Sequence, residues 1–357
     1  MFTSIPDPKR RIARSQTKPS SSFTSIPTVD LADLDSGSLE ARQRIAREIR
    51  DACRQCGFFY VKNHGVPEDL TQKTFVLLRR FFALDDVVKM EAHVQKNPAI
   101  RGYEPMLETN LDPRTKGDIK EAFTMGDCYL EPEQDYTGKT GQPGPPPHVT
   151  RPQNIWPSAA PLLVRVFALG FGLDENAFES MFRFPITGMR LLHYPPTPTS
   201  STEEHVGLGA HSDFSWLTLV LQDEVPALEV LNQAGHWVDA PPAPGTFVCN
   251  VGQYLERQSN GQYPATVHRV RNKTGRERYS LPFFLTPGPE VDLEVLPCCY
   301  DNGDAGDNSQ KNPRNYDNIN VGDLYIRRVL PARTKHPTSI KYRDVPQEEW
   351  SYDMLLS

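Results

Sequence analysis

Cysteine is scarce in this chain: six residues among 357. That is too few, and too scattered, for a disulfide framework, and the length alone suffices for a buried core without such staples. A reducing, intracellular compartment is expected, and the cytoplasm is the simplest assignment. Long apolar runs are also missing. The best candidate, Ala159 to Leu173, is short and broken by Arg165, so no membrane span is predicted. Positive charge is not in excess: 39 Lys and Arg face 45 Asp and Glu, a net charge of −6. This argues against a general nucleic-acid or anionic-membrane binder, which needs a basic face. The first residues lack the apolar segment of a secretory signal. They are basic at Lys9, Arg10, Arg11 and Arg14 and rich in Ser and Thr, which reads as a solvated tail over residues 1–25 rather than as a targeting peptide.

Proline, by contrast, is abundant. With 33 residues it makes up about 9% of the chain, against a usual ~5%, and many loops are expected. The sequence divides by texture. Over 26–157 the pattern is mostly helical. Ile45, Ile49 and Cys53 recur four apart between Leu39 and Cys56, with Gly57 as a stop. The C-x-x-C of Cys53 and Cys56 therefore closes a helix; no second pair or redox context accompanies it. Phe58 to Val61 reads as a strand, 63–67 as a turn, 68–84 as a helix, 130–157 as a Pro-rich loop and 161–173 as a further helix. From 185 to 290 short β-type runs alternate with Gly, Pro, Asn and Asp, which suggests a jelly roll or open barrel. The remainder, 291–357, is read as a loop and a capping helix over 312–332. The fold class is thus mainly β with flanking α: a jelly-roll core preceded by a helical region.

One stretch carries chemistry: Gly209-Ala-His-Ser-Asp213. His211 and Asp213, two apart on a strand, would share a face. A third donor, His268, lies in another β-type run. Two imidazoles and one carboxylate have the composition of the facial triad that holds Fe(II) and leaves coordination positions open. Ten residues beyond His268, Arg278 and Ser280 share a strand face. A guanidinium fork beside a hydroxyl suits a carboxylate. Taken singly, a His-x-Asp or an Arg-x-Ser is more often a surface pair; the order and spacing of all five make the case.

With these residues in order, the chain resembles the Fe(II)/2-oxoglutarate-dependent dioxygenases, in the branch similar to isopenicillin N synthase, flavonoid oxygenases and fungal thymine hydroxylase. The resemblance spans about Ile26 to Leu330. It is carried by Ile26-Pro-Thr-Val-Asp-Leu31, Cys56-Gly-Phe-Phe-Tyr-Val-Lys-Asn-His-Gly65, Arg101-Gly-Tyr103, Asp118-Ile-Lys-Glu-Ala-Phe123, Met189-Arg-Leu-Leu-His-Tyr-Pro-Pro196 and Ala210-His-Ser-Asp213. Leu217-Thr-Leu-Val-Leu-Gln-Asp223, His236-Trp-Val238, Asn250-Val-Gly252, His268-Arg-Val270 and Arg278-Tyr-Ser280 complete it. It implies a distorted double-stranded β-helix, His211, Asp213 and His268 as iron ligands, and Arg278, Ser280 and Tyr194 as contacts of the cosubstrate. The family often has Asn two residues before that tyrosine; Leu192 stands here. His64 is read as shaping its turn, and His193 and His205 as packing or rim residues.

The resemblance implies Fe(II), 2-oxoglutarate and oxygen, with ascorbate as reductant in assays. A small metabolite would be hydroxylated, desaturated or cyclised, with release of succinate and carbon dioxide, in secondary metabolism and by a monomer. An oxidase that uses oxygen without 2-oxoglutarate would keep the same five residues; succinate release separates the two. A catalytically silent jelly-roll binder is the third reading, and the intact triad speaks against it. Tyr103, Phe123, Phe214, Trp216, Phe283 and Phe284 are candidate pocket-wall aromatics, each also a good core residue.

Overall fold

The computed structural model describes residues 22–97, 100–108, 118–126, 159–196, 207–300 and 313–355. The N-terminal part contributes β1 (Thr28–Asp30), α1 (Leu39–Cys56), β2 (Phe58–Lys62), α2 (Glu68–Phe82), α3 (Asp86–Glu91), β3 (Gly102–Glu104), β4 (Glu121–Met125) and α4 (Ala159–Gly170). Then come β5 (Ile186–Tyr194), β6 (Leu208–His211), β7 (Leu217–Gln222), β8 (Leu228–Leu231), β9 (Trp237–Asp239), β10 (Thr246–Val251), α5 (Gln253–Gln258), β11 (His268–Val270) and β12 (Arg278–Thr286). These are followed by β13 (Asp292–Leu293), β14 (Ile319–Asn320), α6 (Val321–Val329) and a short α7 (Pro337–Lys341).

The strands form a large sheet in the order β1-β2-β10-β7-β12-β5-β4-β3 and a small one in the order β6-β11-β8-β9. Apart from the parallel β1–β2 pair, the ladders of both sheets are antiparallel. Together they make the jelly roll, with residues of both sheets lining one cavity between them.

Helices cover the outer face of the large sheet because that face is apolar. Alternation along β12 sends Tyr279, Leu281, Phe283 and Leu285 outward. Tyr279 and Leu281 pack with Phe75, Leu78 and Phe82 of α2, and Phe283 and Leu285 join the main core with α1 and α4. Helix α1 begins where the Ser38 side chain accepts from the Ala41 N–H at 3.2 Å, and it buries Ile45, Ile49, Cys53 and Cys56. Trp216 is fully buried among Phe167, Phe178 and Phe182, with ring centroids 4.9, 6.0 and 5.1 Å away.

Three sequence expectations change. Phe23, assigned to the tail, is buried beside Cys56 and Phe58, and its carbonyl accepts from Asn232 at 3.0 Å; an aromatic ring that finds an apolar socket does not stay solvated. The closing helix is shorter than 312–332, covering Val321–Val329 only, because 319–320 pair with β13 instead. Asp213 is not on a strand: β6 ends at His211, and the chain turns there toward the large sheet. The loop over 130–157, His205 and residues 1–21 lie outside the described residues. Among the described residues, no helix is long and apolar enough to cross a membrane.

Candidate metal centre and carboxylate pocket

The two imidazoles come from the small sheet. His211 ends β6, His268 begins β11, and they are register partners. Their rings lie 4.3 Å apart between centroids. Each Nδ1 is held by a backbone carbonyl: His211 by Gly209 at 2.8 Å, His268 by Thr266 at 3.1 Å. A carbonyl only accepts, so each Nδ1 carries a proton, which leaves Nε2 as the ligating nitrogen of the neutral ring.

The carboxylate is held from the opposite sheet. Asp213 Oδ2 accepts from Thr218 Oγ1 at 2.6 Å and from Asn250 Nδ2 at 2.8 Å. Thr218 and Asn250 are cross-strand partners on β7 and β10. Oδ1 is thereby left toward the imidazoles, 3.4 Å from His211 Nε2 and 3.6 Å from His268 Nε2. The three donors lie within 4.8 Å of one another, close enough to hold one metal ion. Burial opposes charge on Asp213, but the two histidines and Asn250 outweigh it and hold the carboxylate well below its ordinary range. Burial and the neighbouring His211 push His268 down to about 4, so it stays a neutral, ligand-competent ring at neutral pH. The donor set therefore fits a ferrous ion with positions left for other ligands.

The carboxylate pocket follows from β12 and β5. Arg278 and Ser280 face inward two residues apart and pair across the ladder with Tyr194 and Leu192. Arg278 is 1% exposed, a charge almost withdrawn from water. Its Nη1 donates to Ser280 Oγ at 3.2 Å and its Nη2 to Gln222 Oε1 at 2.9 Å. It stacks over the Tyr194 ring, 5.0 Å from the centroid. Arg278 Nε and the Tyr194 hydroxyl are buried without a hydrogen-bond partner, and among the described residues no carboxylate forms an ion pair with this guanidinium. A buried cation and an orphaned hydroxyl are costly unless a ligand supplies the acceptor, so the residues fit a ligand carboxylate. Leu192 lines the cavity at the position where the family often places Asn.

The triad, Arg278, Ser280 and Tyr194 all line the cavity, which holds about 370 Å³. Of the six candidate aromatics, Phe214 and Phe284 line it too. Trp216 and Phe283 belong to the main core, Tyr103 and Phe123 to the cluster under α2. His193 is a packing residue, stacked on Tyr279 at 4.7 Å and bonded to Glu121 at 2.7 Å. The His64 ring meets Phe247 edge-on and its Nδ1 accepts from the Val66 N–H, bracing the turn. Cys53 and Cys56 are free and buried, and burial raises both thiols, which makes them inert. The sequence had not pointed to Thr218, Asn250 or Gln222 as supports. Asn250, an amide within the otherwise apolar run from Phe247 to Val251, was the available signal.

A jelly roll holding a two-histidine, one-carboxylate cluster beside a buried guanidinium defines a non-haem iron oxygenase. The chain belongs to the 2-oxoglutarate–Fe(II) oxygenases: residues 185–287 match the 2OG-Fe(II) oxygenase superfamily and residues 26–159 the N-terminal region described for a non-haem dioxygenase in morphine synthesis. It is an oxidoreductase that uses Fe(II), 2-oxoglutarate and oxygen to oxidise a small molecule. Its relatives include the 2-oxoglutarate-Fe(II) type oxidoreductase ppzC of Metarhizium majus, 31% identical over 332 residues, covering 85% of this chain and 86% of that one. The homoarginine-6-hydroxylase 2-ODD-C23 of Glycine max is 35% identical over 311 residues, 77% of this chain and 89% of that one. Among solved structures, a full-length Neurospora crassa protein in complex with alpha-KG and thymine is similar, with a TM-score of 0.68, 27% identity, and coverage of 86% of this chain and 96% of that one.

Proposed function

We propose that His211, Asp213 and His268 hold the ferrous ion, and that Arg278, Ser280 and Tyr194 receive the distal carboxylate of 2-oxoglutarate. The observation that carries this reading is the division of labour at Asp213, where Oδ2 is taken by Thr218 and Asn250 while Oδ1 faces the Nε2 atoms of both histidines. When bound, Fe(II) supplies the redox chemistry that couples loss of carbon dioxide from 2-oxoglutarate, giving succinate, to oxidation of a substrate C–H bond. The protein's own part is placement. The Gly209 and Thr266 carbonyls keep both Nδ1 protons off the ligand side. Thr218 and Asn250 hold the carboxylate charged. Arg278, with Gln222 fixing one arm of its fork, aligns the cosubstrate, and the two sheets exclude water.

The substrate is a small organic metabolite that is hydroxylated, desaturated or cyclised. Relatives named for homoarginine hydroxylation and a similar structure holding thymine support small polar metabolites as the substrate class, and the fungal relatives support a role in secondary metabolism. We take the enzyme to act as a monomer in the cytoplasm. The test is anaerobic addition of Fe(II) and 2-oxoglutarate. A visible charge-transfer band is expected for the native chain and none for Asp213→Ala. Arg278→Ala is expected to keep iron but to raise the 2-oxoglutarate concentration needed by about 10- to 100-fold, as for loss of charged hydrogen bonds. An unchanged band in Asp213→Ala removes the assignment.

A further inference from the structure

Beyond the cosubstrate pocket, the same cavity has a second cationic wall. Strands β12, β5, β4 and β3 are neighbours in that order. Arg278 is on β12. Two strands away, about 10 Å at ~4.8 Å per strand, Lys120 immediately precedes β4 and Thr124 lies on it; Arg190 is on β5 between them. Arg333, just beyond α6, comes in from the C-terminal segment. Lys120, Thr124, Arg190 and Arg333 all line the cavity.

These cations are held in place from behind. Glu104, on β3 and 1% exposed, does not line the cavity. Its Oε2 accepts from Arg190 at 2.7 Å, and its Oε1 accepts from Arg333 at 3.0 Å and Thr124 at 3.2 Å. Asp118, equally buried, lies 3.6 Å from Lys120. Each guanidinium gives Glu104 a single Nη, keeps a buried Nε without an acceptor, and leaves 12–13% of its side chain exposed. Glu104 and Asp118 stand behind the wall and do not line the cavity, whose lining also includes Arg101, Arg327 and Arg328. Among the described lining residues Asp213 is the only carboxylate, and it belongs to the metal cluster.

We propose that the substrate carries a carboxylate, and that Arg190 and Arg333, positioned by Glu104 and joined by Lys120, receive it. This names the substrate class of the site proposed above and rests on that reading. Two guanidiniums, each with a buried Nε that has no acceptor, suit the planar oxygens of a carboxylate. The apolar side chains of the same cavity, Leu192, Val220, Phe284 and Val329 among them, then face the rest of the molecule. The substrate would lie with its acid at the β4 side and its reacting carbon toward the triad.

The test uses the full chain saturated with Mn(II), as a redox-silent metal, and 2-oxoglutarate. Four acids are titrated calorimetrically against their primary amides: 3-phenylpropanoate, 4-phenylbutanoate, indole-3-acetate and N-acetyl-L-phenylalanine. The expected result is at least one acid binding about tenfold or more tighter than its amide, the scale of a charge-assisted hydrogen-bond pair. Single removal of Arg190 would strand Glu104 and could unfold the protein, so charge-conserving pairs are used: Arg190→Gln with Glu104→Gln, and Arg333→Gln with Glu104→Gln. Both are expected to abolish the acid preference while 2-oxoglutarate affinity stays within about twofold, a split that a merely structural ion network would not give. The proposal is overturned if no acid outbinds its amide, whether both bind alike or neither binds, or if the preference survives in both double variants. Failure to bind 2-oxoglutarate would instead overturn the role of Arg278 and Ser280; the acid–amide comparison, repeated without cosubstrate, still decides this one.

Discussion

At the scale of single residues, the two oxygens of Asp213 have separate tasks, and so do the two nitrogens of each histidine. Hydrogen-bond partners two to five residues away, or on another strand, decide which atom is free. Thr218→Val is therefore expected to keep the fold yet weaken metal retention by about tenfold, since outer partners of metal ligands typically contribute 10- to 100-fold; equilibrium dialysis against Fe(II) or Mn(II) measures it. Lys120 gives a pH prediction. Burial and the neighbouring Arg190 lower its ammonium to about 8, although Asp118 and Glu104 oppose that. It is charged below pH 8 and neutral above. Affinity for a carboxylate probe should fall as pH rises from 7 to 9, and Lys120→Met should flatten that slope. His211, Asp213, His268, Arg278 and Ser280 could be named as candidates from the sequence because metal and carboxylate binding need those residue types and the family resemblance supplies their order. Arg190, Lys120 and Glu104 could not be, because a charged residue in or beside a strand reads as a solvated one until its neighbours across the sheet are known.

At the scale of elements, α1 was legible to its ends. The four-residue recurrence of Ile45, Ile49 and Cys53 and the Gly57 stop are local signals, and the structure adds the Ser38 cap. Gly57 has φ +68°, and its N–H donates to Ala52 and Cys53 carbonyls. A Cβ there would meet the Pro264 carbonyl oxygen at 2.2 Å and Thr266 Oγ1 at 2.8 Å. Gly57→Ala should cost about 2 kcal/mol or more, the left-handed backbone alone accounting for ~1–2. A urea midpoint that does not move would refute this. The end of β6 and the shortened α6 were not legible. Strand ends depend on which partner the next residues find, and residues 319–320 find β13 rather than another helical turn.

At the scale of the whole molecule, Glu104 ties the helical N-terminal part, the large sheet and the C-terminal segment together through Arg190 and Arg333. Burial raises its carboxyl, but the surrounding Arg190, Arg333 and Lys120 prevail and hold it at about 2, against an ordinary 4.5. A depressed carboxylate stabilises the fold above its unfolded value and loses that contribution as pH falls from about 4.5 toward 2. The loss is of the order of 3 kcal/mol at most. Metal-free protein should show a steep fall in stability over that window in equilibrium unfolding, and the paired Arg190→Gln, Glu104→Gln variant should show a shallower one. The amino-acid order by itself determined the jelly-roll class, the helical layer and the residue types proposed to hold iron and cosubstrate, since periodicity and residue type are local properties of the chain. Only the tertiary structure decided which oxygen of Asp213 is free, which aromatics face the cavity, and that Lys120, Arg190 and Arg333 share one wall. Those outcomes depend on register between strands far apart in sequence, and nothing local in the chain encodes that register.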